Sequence, residues 1–143
     1  MKKAILITLT ILFISCNNQE NKTYHFQKGG FINEKGFYYC KSINVSLKSY
    51  EDGTLTYGIF DKKNKLIYQQ NMFSSFSNYQ YWKLYVDEKE NVWFYSSDIQ
   101  QSDVLLKDSL LNHYVSKNFC NSKIKLPVAL LKELSQSNVK FCW

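Results

Sequence analysis

Residues 80–97 read QYWKLYVDEKENVWFYSS, and this stretch carries the strongest fold signal in the chain. Two runs rich in aromatic and β-branched residues, Gln80–Val86 and Val92–Ser97, flank a short polar stretch. Such a pattern predicts two antiparallel strands joined by a hairpin loop. Pairing across the loop sets Leu84 opposite Phe94, so the hairpin has an apolar face and a second face that is also aromatic.

The second face of this hairpin carries four large rings. They belong to Tyr81, Tyr85, Trp93 and Tyr95. Rigid aromatic side chains are enriched at protein interfaces, and stacked rings near amides also suit a sugar. Two interpretations remain open: the face binds a partner, or C-terminal helices cover it and make it core.

Upstream residues predict further antiparallel strands. Residues 37–47 alternate with an apolar odd face, interrupted only by Lys41, and are predicted as one strand. Residues 51–53 (Glu-Asp-Gly) suit a three-residue hairpin loop with Gly53 in the left-handed region. This loop pairs Leu47 with Tyr57 and Val45 with Ile59.

The next strand, Thr54–Phe60, is predicted to end at the turn 61–64, where Asn64 tolerates a positive φ. Pairing across this turn joins Ile59 to Leu66 and Tyr57 to Tyr68. The apolar residues of these strands then lie on one face, as a half-buried sheet requires.

Beyond Asp98 the pattern changes to helical spacing. A first helix, capped by Asp108, is predicted from Leu110, Leu111, Tyr114 and Val115. A second helix begins at Pro127 and carries Val128, Leu130, Leu131 and Leu134. Residues 139–143 alternate again and predict a closing edge strand.

These elements predict an α+β fold: an antiparallel β-meander of five to seven strands with one or two C-terminal helices on one face. A small all-β sandwich or barrel is the alternative. Residues 23–143 are long enough for a single globular domain with its own core.

The N-terminus has the three regions of a secretory signal. Lys2 and Lys3 precede the apolar run Ala4–Ile14, which ends at Ser15 and Cys16 before a polar stretch. The run is too short for a transmembrane helix, which needs about 20 apolar residues.

The stretch Phe13-Ile14-Ser15-Cys16 resembles a lipobox, the recognition site of bacterial lipoprotein signal peptides, with Phe13 where the family prefers Leu. The resemblance implies that residues 1–15 are removed and that Cys16 carries the acyl chains. Residues 16–22 would then be the lipidated cysteine and a polar tether. We therefore expect a location in the cell envelope, anchored to a membrane on its periplasmic or surface face.

The positive charge of the chain comes entirely from lysine. Without Lys2 and Lys3 the balance is 16 basic to 12 acidic residues, formally +4. Arginine is the preferred ligand of phosphates and guanine edges, so its absence weighs against nucleic-acid binding. The lysines are also scattered, which indicates a solvated surface.

Three cysteines remain if Cys16 is lipidated, and export permits disulfides. We predict a Cys120–Cys142 disulfide and a small buried side chain at Cys40. The sequence has no CxxC motif or Cys/His cluster, so no metal site is predicted.

No catalytic residues and no cofactor are predicted, because the usual motifs are missing. Ser97, Asp98 and His113 would form a degenerate hydrolase site only if the fold brought them together. The acidic residues Asp87, Glu88 and Glu90 are interpreted as part of a surface turn in preference to a weak calcium site, and His25 as an ordinary polar residue.

Three hypotheses follow. The first is a membrane-anchored, non-catalytic binding module, such as an inhibitor or immunity-type protein that sequesters another protein. The second is a glycan-binding or envelope-assembly lipoprotein. The third is a small hydrolase. The expected contacts are thus a membrane, through the acyl chains, and a protein or a glycan.

Overall fold

Two β-sheets account for most of the described chain. The computed structural model describes residues 22–108, 110 and 113–142, which form eleven strands, one α-helix and a 3-10 turn at Met72–Ser74. The strands are β1 (Thr23–His25), β2 (Gly30–Ile32), β3 (Gly36–Tyr39), β4 (Ile43–Ser49), β5 (Thr54–Asp61), β6 (Leu66–Gln69), β7 (Phe76–Ser77), β8 (Trp82–Val86), β9 (Val92–Ser96), β10 (Gln101–Asp108) and β11 (His113–Asn118), and the helix is α1 (Val128–Gln136). The predicted signal peptide (1–15), Cys16 and most of the tether (16–22) lie outside the described residues, as do Leu111 and Trp143.

The first sheet is ordered β1-β3-β4-β5-β6, with β7 also paired to β5, and the second is ordered β11-β10-β9-β8-β2. β1 runs parallel to β3. The predicted pairs Leu47–Tyr57 and Val45–Ile59 are confirmed, and so is Leu84–Phe94. Burial of one face fixes register strongly, because a slip of one residue would turn every apolar side chain outwards.

The predicted single strand at residues 37–47 is wrong. Cys40 donates its backbone N–H to the carbonyl of Ile43 at 2.9 Å, and the chain reverses at Lys41 and Ser42. Tyr38 therefore pairs with Val45 in a hairpin of β3 and β4. Lys41, which interrupted the apolar face, is an exposed turn residue.

The predicted register across residues 61–64 is also wrong. Ile59 pairs with Tyr68 and Phe60 with Leu66, with a β-bulge between Ile59 and Phe60. Asn64 does have a positive φ of 61°, as predicted. The loop is one residue shorter than expected and the bulge adds a second residue of shift, so Ile59 lies opposite Tyr68, two residues beyond its predicted partner Leu66.

The two sheets pack face to face around the main core. Its buried side chains include Tyr38, Ile43, Val45, Leu55, Tyr57, Ile59, Phe76, Leu84, Val92 and Phe94. A second core lies between the outer face of the second sheet and α1, which contributes Leu130 and Leu134. The second sheet is thus buried on both faces.

The C-terminal third was predicted in part. The helix after Pro127 is confirmed as α1, but residues 113–118 form β11, paired with β10, instead of a helix. The spacing of Tyr114 and Val115 is compatible with a helix or a strand. Their pairing with Lys107 and Leu106 of β10 makes this segment a strand. Asp108 Oδ1 accepts from the backbone of Leu110 in the hairpin turn instead of capping a helix.

Residues 139–142 form no strand, contrary to the prediction. Val139 and Phe141 pack on the second core, and Cys142 has a φ of 54°, which interrupts an extended backbone. The predicted Cys120–Cys142 disulfide is present, with Cα atoms 4.8 Å apart. The fold is mostly β, so the predicted sandwich alternative fits it better than the α+β class; the sheets do not close into a barrel within the described residues.

Candidate functional site

The aromatic face predicted from the β8–β9 hairpin lies under α1. Trp93 and Tyr95 are 3% and 5% exposed, and Tyr81 and Tyr85 are half-buried against the same core. The Tyr81 hydroxyl donates to the backbone carbonyl of Glu133 in α1 at 3.3 Å. Of the two interpretations of this face, the structure shows the covered one for Trp93 and Tyr95, while Tyr81 and Tyr85 keep part of their surface exposed.

The residues considered for a hydrolase do not meet. Ser97 directly follows β9, beside the start of β10, whereas His113 pairs with Asp108 at the far end of β10. This separation is roughly 20 Å at the rise of a strand. Asp98 instead accepts a hydrogen bond from the backbone of Ser77 at 3.0 Å. No proton transfer can link these groups.

In the acidic turn between β8 and β9, the Asp87 carboxylate accepts hydrogen bonds from residues of the same hairpin. Asp87 Oδ1 accepts from the backbone N–H groups of Lys89 and Asn91 at 2.9 Å, and its Oδ2 accepts from Trp93 Nε1 at 2.9 Å. Among the described residues no group of three His, Cys, Asp or Glu side chains is placed to hold a metal ion.

A groove on the outer face of the first sheet is the best candidate site. It has a volume of about 600 Å³, within the range of small-ligand pockets. Its lining residues come from β1, β3, β4, β5 and the adjoining loops: Thr23, Lys35, Gly36, Phe37, Tyr39, Ser46, Leu47, Lys48, Ser49, Tyr50, Phe60 and Asn64. We call it the aromatic groove.

Three half-exposed rings line this groove. The ring centroid of Phe37 lies 5.1 Å from that of Tyr39 and 5.8 Å from that of Phe60. On its other side Tyr39 stacks on His25, with centroids 5.2 Å apart and planes 16° from parallel. Mutual packing limits the rotation of these rings, so they present a preformed surface.

The groove has a basic rim. Lys35 and Lys48 are exposed at its edge, and none of its described lining residues is acidic. Thr23, Ser46 and Ser49 contribute hydroxyl groups to the lining. The groove therefore combines apolar rings with hydrogen-bonding groups and positive charge.

One turn explains why the aromatic groove could not be predicted from the sequence. Reversal at Lys41 and Ser42 changes which alternate residues of β3 face the core, so Tyr38 is buried while Phe37 and Tyr39 face outwards. The signal that could have found it was Lys41, whose charge does not suit an apolar strand face.

A second cluster that the sequence analysis missed lies at one end of the sandwich. Lys107 on β10 forms an ion pair with Glu90 at 2.5 Å. Glu90 also accepts from the Ser42 backbone N–H at 2.5 Å, and the Ser42 hydroxyl donates to Glu90 and accepts from Lys107. Ser42 lies in the turn between β3 and β4 of the first sheet, whereas Glu90 lies in the turn between β8 and β9 and Lys107 on β10 of the second, so this polar cluster ties the sheets together.

The electrostatics of the polar cluster favour a fixed carboxylate. Burial on its own would raise the pKa of Glu90, but hydrogen bonds from Lys107 and Ser42 outweigh it, and the pKa lies below its ordinary value of 4.5. Nearby, burial and the charge of Glu90 raise the pKa of the Cys40 thiol to about 12. A protonated, buried thiol is a poor nucleophile, so Cys40 packs as the small side chain predicted.

Comparison with protein-family models, with curated proteins and with solved structures finds no match for this chain. In the part of the chain that the structure describes, no helix has the length and apolarity needed to cross a membrane.

Proposed function

We propose that this chain is an envelope lipoprotein, anchored through acyl chains on Cys16, whose sandwich is a non-catalytic binding module. The aromatic groove is its ligand site. The observation that carries the proposal is the set of rings Phe37, Tyr39 and Phe60, left half-exposed in a preformed concave surface. Exposed aromatic side chains grouped in a concavity are the usual anchors of a ligand.

A glycan with acidic groups is the ligand that this groove suits best. Sugar rings present C–H faces that pack on Phe37 and Tyr39, and their hydroxyls can exchange hydrogen bonds with Ser46 and Ser49. Lys35 and Lys48 favour a carboxylate or phosphate on the chain. Because the lysines are exposed, their contribution falls as salt is added.

A protein ligand is the second candidate, which would make the chain an inhibitor or immunity-type protein. β1 is the outermost strand of the first sheet and has no neighbour beyond it among the described residues. An extended segment of another protein can add to such an edge. Thr23 of β1 also lines the aromatic groove, so such a segment would enter it.

Titration calorimetry with neutral and uronate-containing oligosaccharides tests the proposal. Loss of one stacked ring in Tyr39→Ala is expected to weaken binding about tenfold, equal to about 1.4 kcal/mol. Lys48→Gln should weaken only the acidic oligosaccharide, and added salt should reduce that difference.

Val128→Ser is the matched control, because Val128 is an exposed apolar residue on α1, outside the groove. It should bind as the unchanged protein does. Equal affinity of the Tyr39→Ala and Val128→Ser variants would exclude the aromatic groove as the site. If no oligosaccharide binds, while capture of one envelope protein depends on Tyr39 and not on Val128, the second candidate replaces the first.

A further inference from the structure

One end of the sandwich carries four exposed apolar side chains. Phe73 is 97% exposed and Tyr79 80% exposed, and Met72 and Tyr50 are each about half exposed. The Tyr50 hydroxyl lies 3.7 Å from Met72 Sδ, and Tyr79 packs over Gly53 in the loop that follows Tyr50. We call this group the apolar tip.

The apolar tip is not explained by packing within the chain. Phe73 lies in the 3-10 turn, where Asn71 Oδ1 accepts its backbone N–H at 3.0 Å, so its position is fixed while its ring stays in solvent. Single exposed apolar residues are common, but a group of four large ones at one end of a small domain indicates an interaction surface.

The chain enters the domain from the end that carries the apolar tip. β1 runs parallel to β3, away from that end, with Thr23 opposite Phe37. The Lys22 carbonyl accepts from the Phe37 backbone at 2.9 Å. Cys16 is six residues before Lys22 in the sequence, a reach of at most roughly 20 Å.

Charges at this end nearly cancel. Lys22 is paired with Glu34 at 2.8 Å. Among the described residues near the apolar tip, the two positive charges of Lys35 and Lys48 and the two negative charges of Glu51 and Asp52 sum to zero. Attraction to anionic headgroups would therefore be weak, and any affinity of this end for a bilayer comes from its apolar side chains.

We propose that the apolar tip inserts into the bilayer that holds the acyl chains, with Phe73 and Met72 below the headgroups. This inference rests on the proposed anchoring at Cys16. Aromatic and methionine side chains are favoured at the boundary between headgroups and acyl chains. Insertion would stop free rotation about the tether and hold the aromatic groove, which begins at Tyr50, beside the membrane surface.

The test uses the full acylated chain in vesicles of phosphatidylethanolamine and phosphatidylglycerol. A Phe73→Cys variant carries an environment-sensitive fluorophore, and a Lys63→Cys variant carries it at the opposite end of the first sheet. Cys40 is buried and Cys120 is bridged to Cys142, so the introduced thiol reacts selectively among the described residues.

The label at position 73 should shift to shorter wavelength and be quenched by nitroxide-labelled lipid, whereas the label at Lys63 should not. High salt should leave the signal at 73 unchanged. If the label at position 73 reports water in acylated, membrane-bound protein, insertion of the apolar tip is excluded, whereas the proposed anchoring at Cys16 still stands. Mass spectrometry that finds no acyl chain on Cys16 overturns the proposed anchoring, and this inference with it.

Discussion

Glu90 occupies a backbone conformation that residues with a side chain rarely adopt, with a φ of 61°. The equivalent loop positions in the β4–β5 and β5–β6 hairpins hold Gly53 and Asn64, which tolerate this region better. The left-handed conformation costs about 1 kcal/mol for a residue such as glutamate. Its contacts with Lys107 and Ser42 offset that cost.

Removing one member of the Glu90–Lys107 pair should destabilise the domain by about 3 kcal/mol, because it leaves the other charge poorly solvated. Lys107→Met and Glu90→Gln test this by urea denaturation. The double variant should lose less than the sum of the two single losses. Strictly additive losses would contradict a coupled pair.

The pair also predicts a pH dependence. Because the pKa of Glu90 is lowered in the folded state, its stabilisation is present in full above the ordinary value of 4.5 and is lost as pH falls through the lowered pKa. Urea denaturation at about pH 7 and about pH 3 should show a smaller loss of stability in Glu90→Gln than in the unchanged protein. An equal loss of stability in both proteins would show that Glu90 does not contribute to the pH dependence of folding.

Among the elements, the β3–β4 hairpin shows most clearly where sequence reasoning fails. The β8–β9 register was predictable because its loop is bounded on both sides by long alternating runs. In residues 37–47 the alternation continues through a two-residue turn, and only Lys41 marks the break. Phe37, Tyr38 and Tyr39 are all aromatic, so a pattern of period two does not show which of them faces the core once the chain reverses.

The C-terminal segment is held by packing and by one covalent link. Val139 and Phe141 pack on the second core but form no strand. The Cys120–Cys142 disulfide therefore holds this segment to the domain in place of strand pairing. A Cys120→Ala, Cys142→Ala variant should lose about 3 kcal/mol of stability, as expected for a loop of this size (separation 22). Urea denaturation measures the loss, and an unchanged midpoint would contradict it.

For the whole molecule, much of the local structure could be predicted from the sequence, but which aromatic rings are exposed and which are covered could not. The rings at Trp93 and Tyr95 were open to two interpretations, because only the docking of α1 decides whether they are covered. The rings at Phe37 and Tyr39 were assigned to the core and lie in the aromatic groove instead. Contacts between distant segments decide both cases, and local periodicity does not encode them.

We propose above all that acyl chains on Cys16 hold this binding module to a membrane. The test is cell fractionation and palmitate labelling of a Cys16→Ser variant, with Asn21→Ser as a control that keeps the thiol. The unchanged protein and the control should carry label and sediment with membranes, while Cys16→Ser should carry none and should not be processed. Unchanged processing and membrane association of Cys16→Ser would show that acylation at Cys16 does not anchor the protein.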